Sequence, residues 1–243
     1  MTRNEARNKV IFALDVNGLA EINRYAEMLA GKVGMFKVGK ELFTSCGPEA
    51  VKTVQRHGGQ VFLDLKYHDI PNTVAKAMLE AARLGVQLTN LHALGGAEMM
   101  ETAATAVRKE FGDNRPRLLA VTILTSSTVE TLRGVGIEHS VQDMVVRLAK
   151  LAQNAGMDGV VASPLEIELI RAACGPEFLI VTPGVRPGFA SLDDQKRIMT
   201  PAEAMRAGAD YLVIGRPIAK APDPAVAADM IADEIVGGCA YER

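Results

Sequence analysis

Cysteine is scarce in this chain. Cys46, Cys174 and Cys239 are the three in 243 residues, and no two of them form a C-x-x-C pair. That spacing supports neither a disulfide framework nor a zinc site, and a reducing compartment is the expectation. A surplus of one charge is lacking too. The formal net charge is −2, so no global field draws the protein to nucleic acid or anionic lipid, and neither is expected as a partner. Long apolar runs are also missing. The polar stretch 1–9 leads into Val10–Leu14, shorter than a signal-peptide core and far short of the about 20 residues that span a membrane. A soluble, cytoplasmic protein is expected. No Pro/Gly/Ser-rich linker breaks the composition, so residues 1–243 read as a single domain. With 48% apolar and 23% charged residues, the chain is composed to fold around a core rather than to stay disordered.

What is present is a rhythm. Short apolar, β-rich runs recur at Val10–Asp15, Met35–Val38, Val61–Lys66, Leu88–His92, Leu118–Thr125, Gly159–Ser163, Phe178–Pro183 and Tyr211–Gly215. Between them lie stretches with helical spacing: Ala20–Ala30, Glu49–His57, Thr73–Leu84, Glu98–Phe111, Val141–Ala155, Leu165–Ala173 and Ala202–Ala207, with Ala225–Val236 closing the series. Each unit takes roughly 30 residues, the size of a βα repeat. Glycines such as Gly85, Gly112 and Gly156 stand where helices should end. The pattern predicts an α/β fold, a (β/α)8 TIM barrel. A doubly wound open sheet is the fallback, but no G-x-G-x-x-G follows the first run to support it.

Barrels of this type place their chemistry at the C-terminal ends of the strands. Those ends carry Asp15, Lys37, Asp64 with Lys66, His92, Thr125-Ser126-Ser127, Ser163, Thr182 to Arg186, and Gly215-Arg216-Pro217. The third run is the most informative. Alternation along Val61–Lys66 turns Val61, Leu63 and Leu65 to one face and leaves Asp64 and Lys66 together on the other, toward the barrel axis. Asp69 follows in the loop. Carboxylates on both sides stabilise the ammonium form of Lys66, which makes it a poor amine nucleophile and a good proton donor. Lys37 adds a second cation. The competing explanation is a salt-bridge network without chemistry, but barrel interiors seldom keep four charges for stability alone.

Loops after the seventh and eighth strands are the customary phosphate site of these barrels. Here they supply Gly184, Arg186 and Gly188, then Gly215 and Arg216. Glycine lets backbone N–H groups approach an anion, and arginine offers a forked, permanently charged donor. Pro217 suits the start of a short helix facing that anion. A metal site from His68, Asp69, Asp64 and His92 is conceivable, yet Lys37 and Lys66 would repel a divalent cation, so no metal is expected. His57 and His139 read as solvated surface residues, and Cys46 as an inert thiol without a base partner. Three other functions stay open on these residues: a Schiff-base aldolase using Lys66, a metal-dependent sugar-phosphate decarboxylase or synthase, and a non-catalytic nucleotide-binding protein.

Asp64-Leu-Lys66-Tyr-His-Asp69-Ile-Pro-Asn-Thr73 resembles the D-x-K-x-x-D-I-P-x-T signature of the orotidine 5′-phosphate decarboxylase family. The resemblance extends through Ala13-Leu-Asp15, Phe36-Lys37-Val-Gly-Lys40, Leu124-Thr-Ser126, Val181-Thr-Pro-Gly-Val-Arg186 and Val213-Ile-Gly-Arg216. Asp194-Gln195 and Arg197-Ile-Met-Thr-Pro201 fit the bacterial branch. The resemblance implies cofactor-independent decarboxylation of orotidine 5′-monophosphate to UMP, the last step of de novo UMP synthesis. It implies Lys66 as proton donor to C6 of the pyrimidine, with Asp64, Lys37 and Asp69 completing the charged array. It further implies a homodimer in which Asp69 and Thr73 reach the partner's site. Asp15 and Lys37 would hold the ribose, and Thr125 and Ser126 would face the pyrimidine, with Ile70 and Pro183 also touching substrate. Arg186, Gln195, Gly215 and Arg216 would grip the phosphate, and the segment Arg186–Gln195 would close over it.

Overall fold

A computed structural model describes residues 1–189 and 199–240 of the chain. The eight expected strands form: β1 (Val10–Leu14), β2 (Met35–Gly39), β3 (Val61–Tyr67), β4 (Leu88–His92), β5 (Arg117–Val121), β6 (Gly159–Val161), β7 (Leu179–Pro183) and β8 (Tyr211–Ile214). They follow one another in chain order around a closed barrel, and the pairings resolved are parallel. The (β/α)8 expectation is met. Every residue of β1 is buried, as for a parallel strand covered on both faces, which is why its sequence reads as an unbroken apolar run. Among the described residues, no helix is long and apolar enough to cross a membrane.

Contacts divide the chain into two units, Met1–Leu65 with Thr182–Arg243, and Lys66–Val181. In the first, β1 pairs with β2 (Ile11 opposite Met35) and with β8 (Val10 opposite Leu212), and β2 pairs with β3 (Gly39 opposite Asp64). Phe12 and Phe36 meet edge to face, ring centroids 6.2 Å apart, and Phe12 also packs on Tyr25. Burying each phenylalanine contributes about 2–3 kcal/mol. The chain's two ends are joined here. Arg7 and Lys32 both ion-pair with Asp229, and Arg3 pairs with Asp233, tying helix Arg3–Asn8 to helix Pro224–Ala240.

In the second unit β4, β5, β6 and β7 pair in sequence. Asp158, just before β6, accepts hydrogen bonds from both terminal nitrogens of Arg115 (2.5 and 2.6 Å) and from the Leu118 N–H (2.7 Å). The helices Pro71–Arg83 and Ala97–Phe111 turn their apolar stripes inward: Val74, Ala75, Met78 and Ala82 on one, Met99, Met100, Ala103 and Val107 on the other. Gly85, Gly112 and Gly156 take positive φ at helix ends as expected.

Departures from the sequence reading are local. β5 stops at Val121, well short of Thr125: Thr122 still gives its N–H and its hydroxyl to the Val161 carbonyl, and the chain then folds into a turn closed by the Ser127 N–H on the Leu124 carbonyl. The helix expected from Leu165 begins at Ile167, after a tighter turn over Pro164–Glu166. Short helices at Arg3–Asn8, Lys40–Cys46 and Val129–Gly134 were not expected, since one or two turns leave too little periodicity to read, whereas the short helix expected at Pro217 forms as Arg216–Ala219.

Candidate active site

Three charged groups come together in the first unit. The Lys37 ammonium on β2 donates to Asp15 Oδ1 (3.2 Å), just past β1, and lies 3.7 Å from Asp64 Oδ2 on β3. Lys37 and Asp64 side chains are only 12% and 10% exposed, whereas that of Asp15 is 68% exposed. Gly39 makes this possible. It sits two residues beyond Lys37 on the same strand face and opposite Asp64 in the sheet, where a Cβ would stand 3.0 Å from the Lys37 nitrogen. Lacking one, it leaves room for the lysine to reach along the strand.

The expected phosphate loops belong to the same unit. β7 ends at Pro183, Gly184 takes φ +84°, and the Arg186 N–H is fixed by the Met199 carbonyl (3.0 Å). Arg186 Nε is buried and has no hydrogen-bond partner among the described residues. Gly215 follows β8 and caps the one-turn helix Arg216–Ala219, with Pro217 at its second residue. A Cβ on Gly215 would lie 3.2 Å from Ala13 Cβ and 3.5 Å from Asp15 Oδ2, so a bare backbone is needed there. The Arg216 side chain is exposed. Gln195 and most of the segment Arg186–Gln195 lie outside the described residues.

The second unit carries the rest. Lys66 is the one non-glycine residue described with positive φ, +53°. Its N–H donates to Asn90 Oδ1 on β4 (2.8 Å), and Asn90 is fully buried. Two residues on along each strand path, the His68 and His92 rings lie 5.6 Å apart. Asp69 Oδ1 accepts the Ile70 N–H (2.6 Å), and Pro71 opens the helix Pro71–Arg83 that carries Thr73 in its first turn. Ile70 is 67% exposed and Thr73 is exposed. Thr125 and Ser126 are the exposed centre of a turn closed by the Ser127 N–H on the Leu124 carbonyl (2.8 Å).

A family profile described as "Orotidine 5′-phosphate decarboxylase / HUMPS family" matches residues 8–231. The chain belongs to this family. A relative from Pelobacter propionicus, named orotidine 5′-phosphate decarboxylase, is 81% identical over 239 residues, covering 98% of this chain and 100% of that one. One of the same name from Geobacter sulfurreducens is 70% identical over 98% of this chain and 100% of its own. Among solved structures, the orotidine 5′-phosphate decarboxylase of Lactobacillus acidophilus matches with TM-score 0.82 at 37% identity, over 93% of this chain and 98% of that one. The one from Pyrococcus horikoshii OT3 matches with TM-score 0.75 at 25% identity, over 94% and 99%.

Set beside the family signature at 64–73, the structure corrects two readings. Strict alternation along β3 fails at Lys66, because a left-handed residue is not extended; the same-face argument for Asp64 and Lys66 therefore does not carry through that position. His57 is half-buried rather than solvated, its Nε2 2.9 Å from Asn23 Oδ1 beside an open pocket of about 370 Å³ near the starts of β2, β3 and β8. Two residues escaped the sequence reading altogether. Gly39 looked like part of a motif with no task of its own, and Asn90 was one polar residue within an apolar strand. That lone amide in Leu88–His92 was the available signal, since a buried amide must find partners.

Proposed function

We propose that the chain decarboxylates orotidine 5′-monophosphate to UMP and CO2 without a cofactor, as a cytoplasmic homodimer. The observation that carries this reading is the Lys37 ammonium held between Asp15 and Asp64, with Asp64 and Lys66 on one strand in the family's D-x-K-x-x-D order. The naming of its relatives at up to 81% identity supports the same reading.

Breaking the C6–carboxylate bond leaves an electron pair on C6, outside the ring π-system, so the ring offers no ordinary electron sink. A preorganised cation stabilises charge where it develops. In this reading Lys66 provides that cation and passes an Nζ proton to C6 as CO2 departs. Asp64 repels the substrate carboxylate, and that repulsion is relieved when the carboxylate leaves as neutral CO2. Lys37 and Asp15 hold the ribose hydroxyls, and Lys37, 3.7 Å from Asp64 Oδ2, keeps that carboxylate oriented. Asp69, Ile70 and Thr73 reach the partner's site, while Thr125, Ser126 and Pro183 border the pyrimidine.

Arg186, Gln195, Gly215 and Arg216 take the phosphate. The buried Nε of Arg186, without a hydrogen-bond partner among the described residues, supports this role, because a guanidinium N–H out of water calls for an acceptor. Binding energy from the phosphate, remote from C6, is then available to raise turnover as well as affinity. Exposed apolar residues after successive strands support the dimer: Ile70 after β3, Leu94 after β4, Leu124 after β5 and Leu165 after β6.

The test is the ultraviolet change of orotidine 5′-monophosphate mixed with purified protein in EDTA. Conversion to UMP is expected, and Lys66→Ala should lose several orders of magnitude in kcat while still binding UMP. A folded wild-type protein that leaves the substrate intact would overturn the reading.

A further inference from the structure

We infer that Asn90 is a positioning residue for Lys66. The inference rests on the proposed function for its meaning, but its structural half stands apart from it. Lys66 holds a left-handed backbone, φ +53°, a conformation costly for any residue with a Cβ. Such a conformation persists only where the surroundings impose it. One fixed point is visible: the Lys66 N–H donates to Asn90 Oδ1 at 2.8 Å.

Asn90 is itself rigidly placed. It is fully buried and sits mid-strand in β4, opposite Leu119 of β5. A side-chain carbonyl thus stands where the last part of β3 leaves extended geometry. Two residues further along β4, on the same face, His92 lies 5.6 Å ring to ring from His68, which is two residues beyond Lys66. β4 therefore meets the end of β3 at two points that bracket the turn. The amide oxygen defines where the Lys66 Cα lies, and so where its side chain starts toward the reacting carbon. A lysine released from that bond can relax toward extended φ, which re-aims the whole side chain.

The experiment compares Asn90→Ala with Asn90→Asp, which keeps an oxygen acceptor at the same place. Two quantities are read: hydrogen–deuterium exchange at the Lys66 amide, and kcat and KM for orotidine 5′-monophosphate. Asn90→Ala should speed exchange at Lys66 while leaving Leu63 protected, and should lower kcat by about 10²-fold, the scale for a displaced reacting group, with KM changing far less. Asn90→Asp should restore slow exchange and most of kcat. If the alanine variant does not fold, Asn90→Leu, of similar size but without an acceptor, is read in its place. Unchanged Lys66 exchange or wild-type kcat in the acceptor-less variant would overturn the inference, as would equal kcat losses in both variants. A wild-type protein inert toward the substrate would defeat the proposed function, while exchange at Lys66 would still decide whether Asn90 holds it.

Discussion

The Lys37 ammonium lies 3.7 Å from Oδ2 of Asp64, with both side chains almost out of water. Pairs of this kind are destabilising to break, because the remaining charge stays buried without its partner. Their closeness depends on a third residue that contributes nothing but an absence of atoms, Gly39.

Gly39→Ala is therefore expected to disturb the pair without touching either member. Its new Cβ would meet the Lys37 nitrogen at 3.0 Å, so the ammonium must shift by a few tenths of an ångström. Overpacking a close-fitted site costs about 1–3 kcal/mol. A higher KM for the substrate and a lowered melting temperature are the expected outcome, read by steady-state kinetics and calorimetry. Wild-type values for both would mean that the ammonium moves freely.

Lys66 offers a way to separate backbone from side chain. Lys66→Ala and Lys66→Gly both remove the ammonium, and both should be inactive. Only glycine accepts φ +53° without steric penalty, so Lys66→Gly should be the more stable of the two by about 1 kcal/mol. Its greater freedom in the unfolded chain offsets part of the gain. Urea denaturation of the two variants decides it, and alanine exceeding glycine by the whole unfolded-chain difference would show that the position carries no strain.

Arg216→Ala should weaken UMP binding by about 2–5 kcal/mol, the scale for stranding a buried charged partner. The free side chain is exposed, so stability should hardly change. Isothermal titration calorimetry reads the first expectation and thermal unfolding the second. Unchanged UMP affinity would move the phosphate elsewhere.

The barrel was legible because βα units repeat and because parallel strands buried on both faces read as apolar runs; β1 is the clearest case. The charged residues were legible for a related reason. Asp64 and Lys66 interrupt such a run, and an interruption needs explaining. What could not be read was anything set by a neighbouring strand. The left-handed turn at Lys66 depends on Asn90 from β4, and the reach of Lys37 depends on which residue of β2 stands opposite Asp64. Alternation is a property of one extended strand, so it could not foresee a residue that leaves the extended region.

Just before β6, Asp158 sets an acid sensitivity. Burial alone would raise its carboxyl, but the hydrogen bonds from Arg115 and the Leu118 N–H, with the charges of Arg115 and Arg117, together lower it below the ordinary 3.8. The unfolded chain thus binds its proton more readily than the folded one, and stability rises with pH through that range. Its contribution is complete above the ordinary carboxyl value and is lost as pH falls through the folded one. Asp158→Asn should be less stable than wild type at neutral pH, by about 3 kcal/mol for a broken buried pair. The gap should narrow as pH is lowered below about 4. Urea titrations across that range check it, and a gap independent of pH would assign the loss to packing alone.

The pairing of Val10 with Leu212, reinforced by the ion pairs of Arg3 and Arg7 with the final long helix, bears on how the chain is made. During synthesis β1 leaves the ribosome first among the strands and β8 last. One edge of β1 thus has no native strand beside it for almost the whole of translation, and an open edge is a template for pairing with other chains. Closure must also wait for contacts between the most distant parts of the sequence, which slows folding. Nascent chains released before residue 211 would retain that unpaired edge, and aggregation rather than partial activity is the fate the topology assigns them.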